Sequence, residues 1–338
     1  MKICTYVSIS REDKILTFRM DPESGKFTPL REVAIAGRPS ALTTDPESRF
    51  LYASLRPSSE IASFRIDPFS GDLSLLDKIS LDGDACYIGT DLRGKFLLSA
   101  YYSAGKVTVH PIGEDGTVGS NLVASHDTAP HPHCVLLDRS NRFVLVPHTL
   151  PTNAIYQFQF DEESGALTPG KVPIVTPEIP SGPRHILFHP EKEICYTSDE
   201  NGSCVTAYRF DPTSGTLQAF QTLSTLPEGY EGENNCAQIH ITPTGRFLYI
   251  SNRGHDSIAC FSIDRTTGEL TSAGHQPTEK KPRAFNVDPT GNFLFATGLD
   301  TGRLVTYRID PQSGGLTPLE TYHVGAGPSW VHFLRLQD

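Results

Sequence analysis

The chain is poor in the signals that mark secreted, membrane-bound and nucleotide-using proteins. None of its seven cysteines (Cys4, Cys86, Cys134, Cys195, Cys204, Cys236 and Cys260) belongs to a CxxC or other zinc-binding spacing. An odd number scattered through 338 residues is a poor disulfide framework, so reduced core thiols are expected. No run approaches the ~20 apolar residues needed to cross a bilayer. Met1 to Ser8 lacks the long apolar stretch and small-residue cleavage site of a signal peptide. A soluble, cytoplasmic protein is therefore expected. GxSxG, a GxGxxG behind a strand, and a P-loop are all missing, which speaks against an α/β-type hydrolase, a dinucleotide enzyme and a nucleotide-phosphate enzyme. Nor is there a basic excess. With 29 Lys and Arg against 39 Asp and Glu, the net charge of -10 argues against a nucleic-acid or anionic-membrane surface spread over the protein, but leaves room for a local basic pocket. No linker or low-complexity segment divides residues 1–338, and 38% apolar content can furnish a sizeable core, so one domain is expected.

What the sequence does contain is a repeat. Pro183 to Pro190 followed by Ile194 to Glu200 reads as two short antiparallel strands joined by a tight turn, with a basic residue entering the first and an acid leaving the second. Such units recur along the chain. One turn signature appears as Asp21-Pro-Glu-Ser-Gly25, Asp67-Pro-Phe-Ser-Gly71, Gly113-Glu-Asp-Gly116, Asp161-Glu-Glu-Ser-Gly165, Asp211-Pro-Thr-Ser-Gly215, Asp264-Arg-Thr-Thr-Gly268 and Asp310-Pro-Gln-Ser-Gly314, its glycines 45 to 53 residues apart. Gly supplies the positive φ that such a hairpin needs. A second turn alternates with it, starting at Asp45, Asp91, Asp138, His189, Thr242 and Asp288. Seven of one and six of the other fit a closed ring cut inside a repeat. Ser329 to Leu336 then supplies the first strand of a blade whose other strands start at Ile3 and Ile15, and no free sheet edge remains at the cut. Four short strands in each of seven repeats predict an all-β, seven-bladed β-propeller closed by N- and C-terminal strands sharing one blade. A β-solenoid or sandwich array is the weaker alternative. Segments 169–183 and 223–238 are expected to be loops on the binding face.

The repeat lets residues be compared by position. Five residues before each second-turn start lie Ser40, Cys86, His133, Arg184, Ala237 and Arg283, joined by Ser329. Eleven after it lie Arg56, Tyr102, Thr149, Glu200, Arg253 and Leu299. The first strand of a blade lines the central channel and the second runs antiparallel to it, so both rings are expected at one mouth. His133, four arginines (Arg56, Arg184, Arg253, Arg283) and Glu200 then converge. Arginine binds carboxylate and phosphate bidentately, so the cluster points to an anionic small molecule. The bland reading is interblade ion pairing, with Glu200 the counter-ion that orders Arg184. His133 could be a general base, a substrate donor or a structural residue. His131, on the approach to the strand, is the lesser candidate. His185 is expected to turn away from Arg184 into the blade core, and His255 and Asp256 to fix the turn after Arg253. The His131/His133 pair is too weak a pattern for a metal, and neither a metal nor a cofactor is expected. Monomer or weak homo-oligomer is expected, with no nucleic-acid or membrane partner.

At these motifs the chain resembles the propeller-type 6-phosphogluconolactonases, within a wider lactonase family that includes carboxymuconate-lactonizing enzymes. The resemblance spans about residues 1 to 336 and is most specific at Gly182-Pro-Arg-His185, Ser198-Asp-Glu200, Gln238 to Pro243, Ser251-Asn-Arg-Gly-His-Asp-Ser257, Gln276-Pro-Thr278, Pro282 to Asp288 and Gly325 to Trp330. It implies His133, Arg184 and Glu200 as catalytic residues, with a further arginine at Arg253. Tyr102, His131, Gln238, Arg56 and Arg283 complete the expected substrate-binding set. Gln238 stands where relatives commonly have an acid. The reaction implied is hydrolysis of a phosphorylated sugar δ-lactone, 6-phosphoglucono-1,5-lactone, a step of the pentose phosphate pathway. Two rivals fit the same composition: a muconate-type cycloisomerase or other lactone enzyme, and a non-catalytic propeller platform.

Overall fold

A computed structural model describes residues 1–337. Seven four-stranded antiparallel sheets form the ring. Blade 1 takes its inner strand, Pro328–Leu336, from the C-terminus and its second, third and outer strands, Lys2–Ile9, Lys14–Met20 and Phe27–Ala34, from the N-terminus. Lys2 pairs with Leu336 and Val7 with Val331, so the two ends of the chain close the ring by an antiparallel ladder. In blades 2 to 7 the inner strands are Pro39–Thr44, Tyr87–Thr90, Leu136–Leu137, Pro183–Phe188, Asn235–Ile241 and Phe285–Val287.

Burial explains the sequence pattern. Second strands such as Phe50–Leu55, Phe96–Tyr101 and Ile194–Asp199 are buried at every residue, because neighbouring blades cover both faces; the first two read as near-continuous apolar runs, while the third ends in buried Thr197, Ser198 and Asp199. Outer strands such as Phe27–Ala34 are largely exposed.

Both turn families are built on side-chain acceptors. In the outer turn the Asp21 carboxylate accepts the N–H groups of Glu23 and Ser24, while the Asp21 carbonyl accepts that of Gly25 at 2.8 Å. In the inner turn Asp45 Oδ1 accepts from Arg49 and Phe50. His189 substitutes for the aspartate: its Nδ1 accepts from Glu191 and Lys192, which leaves Nε2–H to donate to the Gly245 carbonyl at 3.1 Å.

The outer-turn glycines do more than bend the chain. A Cβ on Gly215 would sit 2.2 Å from the Phe143 ring, and one on Gly314 2.3 Å from that of Phe247. Each of the seven meets the first residues of the preceding blade's second strand in this way, so every turn docks on its neighbour. Tyr196 and Tyr249 reinforce the dock by donating to the carbonyls of Gly268 and Gly314.

Two sequence expectations need correction. Residues 169–175 are strand, since Leu167–Val175 is the outer strand of blade 4, and 223–238 ends in the inner strand of blade 6. The loops proper are 176–182 and 225–234, which feed the mouth ends of two inner strands. The long outer strand can form because its solvent-facing residues need no burial.

Candidate active site at the channel mouth

The inner strands are irregular where they enter the mouth. In blade 5, Pro183 pairs with Asp199 and His185 with Ser198, which leaves Arg184 as the extra residue of a β-bulge. A bulge bends the strand and re-aims its side chains. The same happens in blade 6 between Cys236 and Ile239, around Gln238.

This bulge overturns the expectation for His185. Its ring lies 5.3 Å from Tyr87 of blade 3, 5.3 Å from His133 of blade 4 and 6.2 Å from Trp330 of blade 1. Side chains from four blades meet only near the axis, so His185 fills the channel rather than a blade core. The extra residue cancels the alternation that would have turned it away.

Arg184, Glu200 and Arg253 form one chain of charge. Arg184 is 2% exposed, its Nε is 2.8 Å from Glu200 Oε2, and Arg253 Nη2 is 3.1 Å from Oε1. Arg253 also donates to the Cys236 carbonyl at 2.7 Å. Proximity exceeds alignment here: Nε and Nη1 of Arg184, Nε of Arg253 and Oε2 of Glu200 have no well-directed partner. Burial pushes Glu200 up, but Arg184 and Arg253 outweigh it and hold the carboxyl below its usual range. Burial, then the cations Arg253 and Arg283, push Arg184 down to about 9 against the pull of Glu200. Arg184 is thus a cation at neutral pH with donors to spare.

His133 is buried, and its Nδ1 has no partner. Burial, then Arg184, His185 and Arg283, hold it well below the usual histidine range, so the imidazole is neutral at pH 7. Beside it, His131 stacks on Tyr102 at 4.1 Å and 5°, with Nδ1 donating to the Leu150 carbonyl. The two make one aromatic ledge. Arg56 lies 2.9 Å from Asp84. Arg283 is driven down to about 10 by burial, then by Arg253 and Arg56, and its guanidinium has no ion-pair partner among the described residues. Gln238 is buried, and its side-chain carbonyl accepts the Phe285 N–H at 2.9 Å. That end of the amide is committed to joining blade 6 to blade 7. Asp256 does fix its turn, accepting from Gly254 and Lys281. Among the described residues no three His, Cys, Asp or Glu side chains are placed to share a metal ion.

A third ring went unread. Seven residues before each inner-turn start lie Arg38, Asp84, His131, Gly182, Asn235 and Lys281. Arg38, His131, Gly182 and Lys281 have positive φ, and their carbonyls accept the N–H groups of Arg56, Thr149, Glu200 and Leu299. The same counting that yields the other two rings would have found it.

A model of the seven-bladed β-propeller lactonases matches residues 1–333. The chain belongs to this lactonase family. It is 37% identical over 331 residues to a 6-phosphogluconolactonase of Pectobacterium carotovorum, covering 98% of this chain and 85% of that one. A 6-phosphogluconolactonase of Yersinia enterocolitica is 36% identical over 334 residues, with 99% of each covered. Among solved structures, the periplasmic gluconolactonase of Pseudomonas aeruginosa superposes over 100% of both chains with a TM-score of 0.91 at 26% identity. Among the described residues of this lactonase, the mouth is where a neutral buried histidine, a buried arginine and an ionised glutamate adjoin.

Proposed function

We propose that this lactonase opens 6-phosphoglucono-1,5-lactone to 6-phosphogluconate at the channel mouth. The observation that carries the reading is Arg184, a buried cation with undirected donors, next to the unpartnered Nδ1 of His133. The full-length relatives named 6-phosphogluconolactonase support the substrate.

Arg184 receives the lactone carbonyl oxygen and stabilises the negative charge that grows there as water adds. His133 Nδ1 takes the proton of the attacking water. The imidazolium returns that proton to the ring oxygen as the C–O bond breaks, which yields the carboxylic acid and a free hydroxyl and resets the base. A free His133 is a weak base first because it is buried and then because Arg184 and Arg283 act on it as cations. A bound phosphate dianion offsets those cations and raises its basicity when substrate is present. Glu200 orders Arg184 and Arg253 rather than moving protons, since both arginines hold it ionised.

A second reading is an unphosphorylated glucono-lactone, favoured by the gluconolactonase from Pseudomonas aeruginosa. A cytoplasmic location belongs to the same proposal; all seven thiols are buried and free, as suits a reducing compartment.

The test is hydrolysis of freshly generated 6-phosphogluconolactone against spontaneous opening. Wild type should exceed background, and Arg184→Ala should lose about 100-fold or more in kcat, the scale of removing an oxyanion donor. No acceleration by wild type would remove the assignment.

A further inference from the structure

The mouth has two electrostatic halves. Over blades 4 to 6 lie His133, Arg184, Glu200 and Arg253. Over blades 7, 1 and 2 a cavity of 260 Å³ is lined by Arg11, Arg38, Arg56 and Arg283 with the hydroxyl residues Ser40 and Ser329. We propose that this second cavity is the phosphate seat of the substrate, and that Arg11 and Arg38, which lie outside the two rings expected to carry the site, set the preference for a phosphorylated lactone. The catalytic half of the assignment rests on the lactonase reading; the phosphate seat itself does not.

Charge makes the case first. Among the described residues only Arg56 of the four has an ion pair, with Asp84. The nearby Glu12 is taken up by Lys14 at 2.9 Å and by the Ala326 N–H. Three unpaired guanidiniums around one cavity in a chain of net charge -10 are matched by a dianion with several acceptor oxygens.

The pocket is also built. Asp13 Oδ1 accepts the N–H groups of Gly37 at 3.1 Å and Arg38 at 2.8 Å, which holds Arg38 at φ +59. A non-glycine residue in that region is strained and persists where its surroundings impose it. Arg11 sits on the turn Ser10–Glu12, whose backbone donates to Gly327 and Ala326, and Ser329 Oγ donates to Ser10 Oγ at 3.0 Å. The cavity therefore straddles the seam where the chain ends meet.

A rival cavity over blades 6 and 7, of 440 Å³, contains Arg253, Lys280 and Lys281. Its cations are balanced by Glu233, Asp256 and Asp300, with Lys281 2.8 Å from Asp300. An anion gains less there. Arg283 feels Arg253 and Glu200 on one side and Arg56 on the other, so it bridges the two halves of the mouth. The substrate carries its carbonyl and its phosphate-bearing C6 arm on either side of the ring oxygen, so one molecule presents the two groups to the two adjoining halves of the mouth.

The experiment is titration calorimetry of wild type, Arg11→Ala, Arg38→Ala and Lys281→Ala with inorganic phosphate and with 6-phosphogluconate, alongside turnover of phosphorylated and unphosphorylated gluconolactone. Arg11 and Arg38 are exposed, so their truncation spares the core. Arg38→Ala and Arg11→Ala should each weaken phosphate binding about tenfold and lower the kcat/KM ratio of phosphorylated to unphosphorylated lactone similarly, as expected for a lost charge-assisted contact. Phosphate binding that is absent in wild type, or that only Lys281→Ala weakens, overturns the proposal. Arginine-dependent phosphate binding without lactone turnover retains the seat and rejects the reaction.

Discussion

Arg184 is the most demanding residue of the protein, because a guanidinium at 2% exposure needs an anion, and Glu200 must serve Arg253 as well. Removing one partner of a buried pair strands the other, typically at 3–5 kcal/mol. Glu200→Gln should therefore lower stability by about 3 kcal/mol in urea unfolding and also lower turnover, whereas a purely proton-transferring glutamate would leave stability intact. Histidines set the pH response. Burial holds His133 and His185 well below their usual range and takes His148, His240 and His332 to about 4, 3 and 4. The folded state keeps them neutral while the unfolded chain protonates them near pH 6.5, so stability is lost as pH falls through that value, at about 1.4 kcal/mol per unit for each group. Asp199 opposes this. Buried under the hydroxyls of Thr197 and Thr206, it is raised to about 6 and adds stability as pH drops from there towards its unfolded value. Five histidines outweigh one aspartate, and the urea midpoint should fall between pH 7.5 and 5.5. A flat profile would mean that these rings are hydrated.

At the scale of the element, the outer hairpin is both a turn and a dock. Gly215 has φ +70, and a Cβ there would enter the Phe143 ring of the preceding blade. Gly229, at φ +78 in the loop entering blade 6, has nothing within 4 Å of its added Cβ. Gly215→Ala should cost about 2–4 kcal/mol from strain plus overpacking, and Gly229→Ala about 1 kcal/mol from strain alone. Comparison of their urea midpoints separates the two terms. The hairpin was legible in Asp211 and Gly215 because turn chemistry is local. The dock was not, because Phe143 lies 72 residues earlier and only ring packing brings it there.

For the whole molecule, closure is the cooperative step. Truncation after Gly327 removes the inner strand of blade 1, exposes the edge of Lys2–Ile9 and opens the seam under Arg11 and Ser10. The shortened chain should be aggregation-prone and lose a single cooperative transition, as judged by size-exclusion and thermal unfolding. The repeat period, the strand count, the shared blade and the meeting of Arg184, Glu200 and Arg253 at one mouth were all determined by the sequence, because each follows from a fixed offset within a local unit. Three matters were decided only by the tertiary structure. A one-residue bulge turned His185 into the channel, ion pairing left Arg283 free while occupying Lys281, and ring closure set Arg11 beside Ser329. Each depends on how strands distant along the chain pair, through the register of Pro183–Phe188 on Ile194–Asp199, the meeting of Lys281 with Asp300 and the sharing of blade 1 by the two chain ends, and spacing along one strand carries no information about the side chains that pairing brings to meet it.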